Sequence, residues 1–329
     1  MNLTEFNQSD RCEHFSCPER SVSPAVYILL YVCSAAVVLL TVCGNLLVII
    51  SVFHFKQLHT PTNMFVLSLA VSDFLVGIFA MPLMLIWTIE SCWIFGRVLC
   101  TIYWLISGFL TISNYTIAQI SVDRYFALSN PFLYMKIVSV KIIRVVIVIN
   151  WCVGLGYALV TLYFNGKFES LVMCPGECFL PLTDNWFLID LIYSFIFPCS
   201  FVIILYTLVF VIAKKHATAI RELNNYTRSK TQKITPHSMK SERKAAKVLS
   251  ILVSVFLLCL LPYFIYSLLD NVIVLQTETF QRVLIVFSLN STINPFLYAM
   301  FYPWFRRCIK LIITLKIFQT DSALINVLS

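Results

Sequence analysis

The chain has 329 residues, 59% of them hydrophobic and 12% charged, and a mean hydropathy of +0.85. A water-soluble domain of this length carries about twice that charged fraction, so composition argues against a soluble enzyme or a soluble nucleic-acid-binding protein. The net charge of +8 carries no argument for a polyanionic partner, because its distribution has a different cause, given below.

Seven apolar runs, over residues 24–52, 63–89, 98–128, 140–163, 186–213, 246–269 and 279–302, are each long enough to cross a bilayer as a helix. Short loops join them, and there is no internal repeat. This predicts an all-α membrane protein: a tail over 1–23, a seven-helix bundle over 24–302, and a short amphipathic cytoplasmic helix with its tail over 303–329. Of the 24 Lys and Arg residues, only Arg11, Arg20, Arg97, Lys167 and Arg282 fall in the first tail and the even-numbered loops. Basic residues near helix ends stay cytoplasmic, so the N-terminus is expected outside, at the plasma membrane. The first 23 residues lack an apolar core, so the first span is expected to serve as the targeting signal.

In the tail, Asn2-Leu-Thr and Asn7-Gln-Ser are glycosylation acceptors. Cys12, Cys17, Cys92, Cys100, Cys174 and Cys178 lie at or beyond the outer face, where disulfides persist. Cys33, Cys43, Cys152, Cys199 and Cys259 fall inside spans as small apolar packers.

The spans carry a few polar groups that hydrocarbon makes costly. Asp73 sits mid-membrane in the second span and needs partners. Asn45, Ser113, Asn290 and Asn294 lie at matching depths, and a Na+ ion with water would complete that cluster. At the inner end of the third span Asp123 accepts a charge-assisted hydrogen bond from the adjacent Arg124. The fifth span places Asp190 about one turn inside Trp186, with Ser194 a turn further on the same stripe. A carboxylate there would pair with an ammonium group in a partly dry site. Trp104, Trp186, Tyr263 and Phe264 supply aromatic faces for a cation. Among the outward acids, Asp184 and Asp270 are the candidates for a second anchor. The last span carries Asn290 and Asn294-Pro295, and Arg306-Arg307-Cys308-Ile-Lys310 follows. Cys308 is either a lipidation site or a buried thiol.

In order along the chain, Gly44-Asn45, Leu69-Ala70-x-x-Asp73, Asp123-Arg124-Tyr125, Trp151, Pro198 with Tyr206, Phe256-x-x-Cys259-x-x-Pro262 and Asn294-Pro295-x-x-Tyr298 resemble the landmarks of a class A, rhodopsin-like G-protein-coupled receptor. The segments His54–Asn63, Ser91-Cys92-Trp93-x-Phe95-Gly96, Cys174-x-x-x-Cys178, Glu242–Lys247 and Phe301-Tyr302-Pro303-Trp304-Phe305 are similar, more narrowly, to trace amine-associated receptors. The resemblance implies receptors for small amines, many of them odorants, that signal through a heterotrimeric G protein of the stimulatory, cyclic-AMP-raising class. It implies Cys100–Cys178 and Cys17–Cys174 disulfides, with Cys12 as a substitute for Cys17. It also implies a lock in which Glu242 joins Asp123 in holding Arg124, while Tyr125 completes the motif and Tyr206 and Tyr298 swing in on activation.

The chain departs from that pattern where most amine receptors anchor their ligand. Counting from Cys100 puts the third-span anchor position at Ser107; counting back from Arg124 puts it at Ile106. Neither is acidic, and no Asp or Glu occurs between Cys100 and Asp123. The resemblance is then to a fish group with the acid in the fifth span, at Asp190. Leu260 replaces the usual Trp of the sixth span. Ser288 stands where the seventh often has Tyr, and no Lys is available there to hold retinal. The expected function is therefore amine reception through Asp190; the alternative is a class A receptor for a non-amine ligand. No nucleophile–base pair or metal-ligand spacing supports an enzyme, no other cofactor is implied, and no repeat or charged string supports a transporter.

Overall fold

The computed structural model describes residues 17, 23–166, 176, 178, 184–227, 237–270, 277–319 and 321–327. Among the described residues, seven long helices form one bundle: α1 (Pro24–His54), α2 (Pro61–Glu90), α3 (Gly96–Ser129), α4 (Val140–Gly166), α5 (Asp184–Asp190 running on through Leu191–Ile196 and Phe197–Thr227), α6 (His237–Asp270) and α7 (Thr277–Phe301). A short α8, Pro303–Ile313, follows. Six of the seven are long and apolar enough to cross a membrane among the described residues, and α6 contains the apolar stretch Val253–Leu269. The bundle is membrane-spanning.

Prolines set where helices begin. Pro24, Pro61 and Pro303 each occupy a first-turn position, where a missing N–H costs nothing. Thr60 caps α2 by accepting from the Asn63 amide at 3.3 Å. Inside the spans Pro has a different effect, because it orphans the carbonyl four residues earlier. Pro198 frees the Ser194 carbonyl, which accepts from Asn114 Nδ2 at 3.4 Å. Pro295 frees the Ser291 carbonyl, which accepts from Asn45 Nδ2 at 3.0 Å. In both cases an Asn on a neighbouring helix supplies the missing donor. Each of the two π segments, Val76–Ala80 in α2 and Leu191–Ile196 in α5, lies just ahead of a proline, Pro82 or Pro198.

The packing inverts that of a soluble protein. Phe53, Val98, Leu258 and Met300 are among many apolar residues facing outward, while Asn45, Asp73, Ser113, Asn114, Asn290 and Asn294 are buried. One apolar cluster fills the half of the bundle bearing Arg124 and α8, the basic end; it includes Val52, Phe256, Leu260 and Tyr298. A second fills the other half around Trp87, Trp93 and Tyr103. In α8, Trp304, Phe305 and Cys308 are buried and Arg306, Arg307 and Lys310 are exposed. Cys308 is thus the buried thiol of the two alternatives, its pKa pushed up to about 11 chiefly by burial. The chain then turns back at Leu315 and Asp321, both with positive φ. Ser322 Oγ lies 2.9 Å from His54 Nε2, and the Val327 amide donates to Gln57 Oε1 at 3.2 Å.

At the opposite end, Cys100 is bonded to Cys178. The expected Cys17–Cys174 pair is corrected: Cys17 is bonded to Cys92, at the turn between α2 and α3. Cys174 and Cys12 lie outside the described residues. The tail is therefore tied to the first loop at that end, beside Trp93, whose amide donates to the Gly176 carbonyl at 2.7 Å. Glu90, at the end of α2, accepts from both Tyr27 and Tyr31 of α1. Asn2 and Asn7 also lie outside the described residues.

Candidate functional site

A cavity of about 360 Å³ opens among α2 to α7 in the half of the bundle that carries the disulfides. Of the residues expected there, Trp104, Ser107, Asp190, Ser194, Tyr263, Phe264 and Ser288 line it. Trp186 does not; its ring stacks on Phe164 of α4, with centroids 5.3 Å apart. Ile106 does not line it either and packs against the apolar cluster beside it. Of the two positions counted along the third span, Ser107 is the one that faces the cavity. Ser107 Oγ is itself bonded to the Tyr103 carbonyl at 2.8 Å.

Asp190 is the one acid among the described lining residues. Its Oδ1 accepts from Tyr157 Oη at 2.8 Å and from Ser194 Oγ at 2.9 Å. No cation lies within ion-pair distance of it among the described residues. The side chains of Asp184 and Asp270 lie outside those residues. The π segment starts immediately after Asp190, so its wider turn sets how Ser194 faces the carboxylate. Tyr157 escaped the sequence reading. The available signal was a tyrosine in the outer half of an apolar span, but its pairing with α5 depends on helix rotation.

The floor of the cavity is aromatic. Phe195 and Phe264 stack with centroids 4.2 Å apart and planes 8° from parallel, and Tyr263 stacks on Phe287 at 5.1 Å. Leu260 lies below them, fully buried beside Phe256. Ser288 donates to the Met84 sulfur at 3.3 Å.

Deeper in the bundle, Asp73 takes three donors: Ser113 Oγ at 3.0 Å, Ser291 Oγ at 2.8 Å and Asn294 Nδ2 at 2.7 Å. Ser113 and Asn294 were expected; Ser291 was not. Asn290 is buried next in the chain to Ser291. Asn45 reaches the cluster through the Ser291 carbonyl; its Oδ1 is buried without a hydrogen-bond partner among the described residues.

At the basic end, Arg124 Nε donates to Asp123 Oδ2 at 3.0 Å. Thr62 Oγ1 donates to the same oxygen at 2.8 Å, and Tyr134 Oη to Oδ1 at 2.6 Å. Burial, and then this bond, push the Tyr134 pKa up to about 12. Thr62 also accepts from Arg124. The backbone of Glu242 lies in α6, and its side chain lies outside the described residues. Tyr125 packs edge-on against Phe126 at 5.6 Å. The Tyr206 and Tyr298 hydroxyls are buried without a hydrogen-bond partner among the described residues. Trp151 Nε1 donates to Ser68 Oγ at 3.0 Å, which fastens α4 to α2.

Residues 44–298 match the family described as 7 transmembrane receptor (rhodopsin family). The chain is 37% identical over 338 residues to trace amine-associated receptor 13c of Danio rerio, covering 99% of this chain and 98% of that one. It is 38% identical over 323 residues to trace amine-associated receptor 6 of Pan troglodytes, covering 95% and 93%. Trace amine-associated receptor 9 of Mus musculus is 36% identical over 323 residues, covering 95% and 92%. The match spans the whole bundle and includes every helix that lines the cavity, so the chain belongs to the rhodopsin family of seven-transmembrane receptors and, within it, to the trace amine-associated receptors, which are receptors and not enzymes.

Proposed function

We propose that this amine-sensing class A receptor holds the ammonium group of a small amine on Asp190. The receptor family implies a small-molecule ligand and a G-protein partner. The observation that carries the finer reading is the state of Asp190: a carboxylate lining an aromatic cavity, held by two neutral hydroxyls and by no cation among the described residues. A protonated amine supplies the missing counter-charge, and Trp104, Tyr263 and Phe264 offer ring faces to it. The one acid among the described lining residues anchors one ammonium, and the aromatic walls suit an apolar or aromatic body.

In this reading the N-terminus faces outside at the plasma membrane, and the basic end faces the cytoplasm. Amine binding at α5 and α6 favours the active arrangement of the bundle. Asp123, Arg124, Tyr125, Tyr206, Glu242 and Tyr298 then reorganise at the basic end to admit a G protein, of the stimulatory, cyclic-AMP-raising class. An olfactory setting accords with the family resemblance. The Asp73 cluster suits a small hard cation such as Na+: Asp73, Ser113 and the unpartnered Oδ1 of Asn45 present oxygen ligands.

The test is a cyclic-AMP reporter screen of amines on wild type and Asp190→Asn, with surface expression measured in parallel. An amine response present in wild type and abolished in the variant is expected. A response that survives the substitution sinks the anchor. Activation by neutral compounds alone favours the non-amine alternative.

A further inference from the structure

We propose that Tyr157 of α4 is a positioning residue that makes Asp190 a one-point acceptor, selecting amines with few N–H donors. The inference rests on the reading of Asp190 as the ammonium anchor.

An ionised Asp offers two oxygens and about four lone-pair sites. Here both protein donors, Tyr157 Oη and Ser194 Oγ, go to Oδ1. Oδ2 has no hydrogen-bond partner among the described residues, and Asp190 lines the cavity. Oδ2 is therefore the acceptor left for an entering ammonium while Oδ1 is occupied. A primary ammonium pairs best with a carboxylate through one N–H to each oxygen, and two donors already crowd Oδ1. The second contact is blocked, and a single N–H to Oδ2 remains.

Tyr157 is well held for this task. Its ring stacks on Tyr193 with centroids 4.1 Å apart. Tyr193 is in turn fixed by Tyr115, whose hydroxyl donates to the Tyr193 carbonyl at 2.9 Å. The phenol oxygen is placed by a packed aromatic column, and a ligand that displaced it would have to break the stack. Each N-methyl group then replaces an N–H that has no acceptor by apolar surface. The rings of Trp104, Tyr263 and Phe264, which line the same cavity, accept that surface. Unpaired N–H groups in a dry site cost free energy, whereas methyl groups do not.

The test uses 2-phenylethylamine and its N-methyl and N,N-dimethyl forms on wild type, Tyr157→Phe, Ser194→Ala and Asp190→Asn. Tyr157→Phe keeps the ring and the stack and removes only the donor. Wild type is expected to rank dimethyl above methyl above primary by EC50. In Tyr157→Phe, Oδ1 regains a lone-pair site, so the primary-to-tertiary EC50 ratio should fall about threefold to tenfold, the worth of one charge-assisted hydrogen bond partly offset by solvent. A packing role alone would shift all three amines equally and leave the ratio fixed. Ser194→Ala removes the other donor and should move the ratio in the same direction, which covers the case in which Tyr157→Phe is not expressed. A ratio unchanged in both variants, a primary amine as the best agonist of wild type, or a response to none of the three overturns the proposal. Asp190→Asn separates the two levels: if its responses match wild type the anchor itself has failed, and if they vanish while the ratio stays fixed only the role of Tyr157 has failed.

Discussion

Gly154 of α4 sits where that helix crosses α3, one turn below Tyr157. A Cβ at this position would stand 2.4 Å from Cγ1 of Ile112 and 3.1 Å from its Cδ1. Unstrained carbon contacts lie at about 3.5–4.0 Å, so Gly154→Ala requires a yield of about 1 Å. Ile112 is fully buried and has no solvent to turn into. The same crossing is fixed by Asn150 Nδ2, which donates to the Ile112 carbonyl at 3.3 Å and to Thr116 Oγ1 at 3.1 Å. The helices must part or Ile112 must leave its rotamer; overpacking of this kind costs about 1–3 kcal/mol. Tyr157 lies about 4.5 Å further along the axis, so a parted α4 also stretches its 2.8 Å bond to Asp190. Gly154→Ala is therefore expected to lower the thermal unfolding midpoint of the purified receptor and to raise the EC50 of an amine agonist together. Ile112→Ala alone should cost about 2–5 kcal/mol as a cavity. In the double variant the new methyl group refills part of that space, so the loss should be smaller than the sum of the single losses. Wild-type stability in Gly154→Ala, or strict additivity in the double variant, would refute the reasoning.

Two further outcomes are expected. Asp73→Ala strands the donors Ser291 and Asn294, each at a cost of about 1–3 kcal/mol, while Ser113 Oγ keeps the Phe109 carbonyl at 3.1 Å, so the receptor should be less thermostable than wild type; a midpoint within error of wild type would contradict the cluster as described. The Cys308 thiol, with its pKa near 11, is protonated at pH 8 when folded, and the stability it contributes is complete below about 9 and lost as pH rises through about 11. Its peptide should resist iodoacetamide in the folded receptor and react after denaturation, as read by mass spectrometry; equal labelling in both states would show that the residue is not buried.

How far sequence reached can be judged residue by residue. Hydropathy alone determined the spans, because a helix in hydrocarbon must satisfy its own backbone and cover itself with apolar side chains. The cost of charge in that medium singled out Asp73, Arg124 and Asp190, which then had to possess partners. Which partners they have was decided only by tertiary structure. A helix that is apolar on nearly all sides gives little signal of its rotation. Hence Tyr157 could not be seen opposite Asp190; Ser107 could not be separated from Ile106 because the counts from Cys100 and from Arg124 differ by one residue. Trp186 and Asp190 share a regular helical segment that ends before the π turn, yet only Asp190 faces the cavity, and Trp186 turned to Phe164 instead. Cys17 met Cys92 and not Cys174, since connectivity depends on where loops lie in space and the spacing of cysteines does not encode that. The orphan carbonyls of Ser194 and Ser291 follow from Pro198 and Pro295 in the sequence, but only the packing of neighbouring helices could supply Asn114 and Asn45 to meet them.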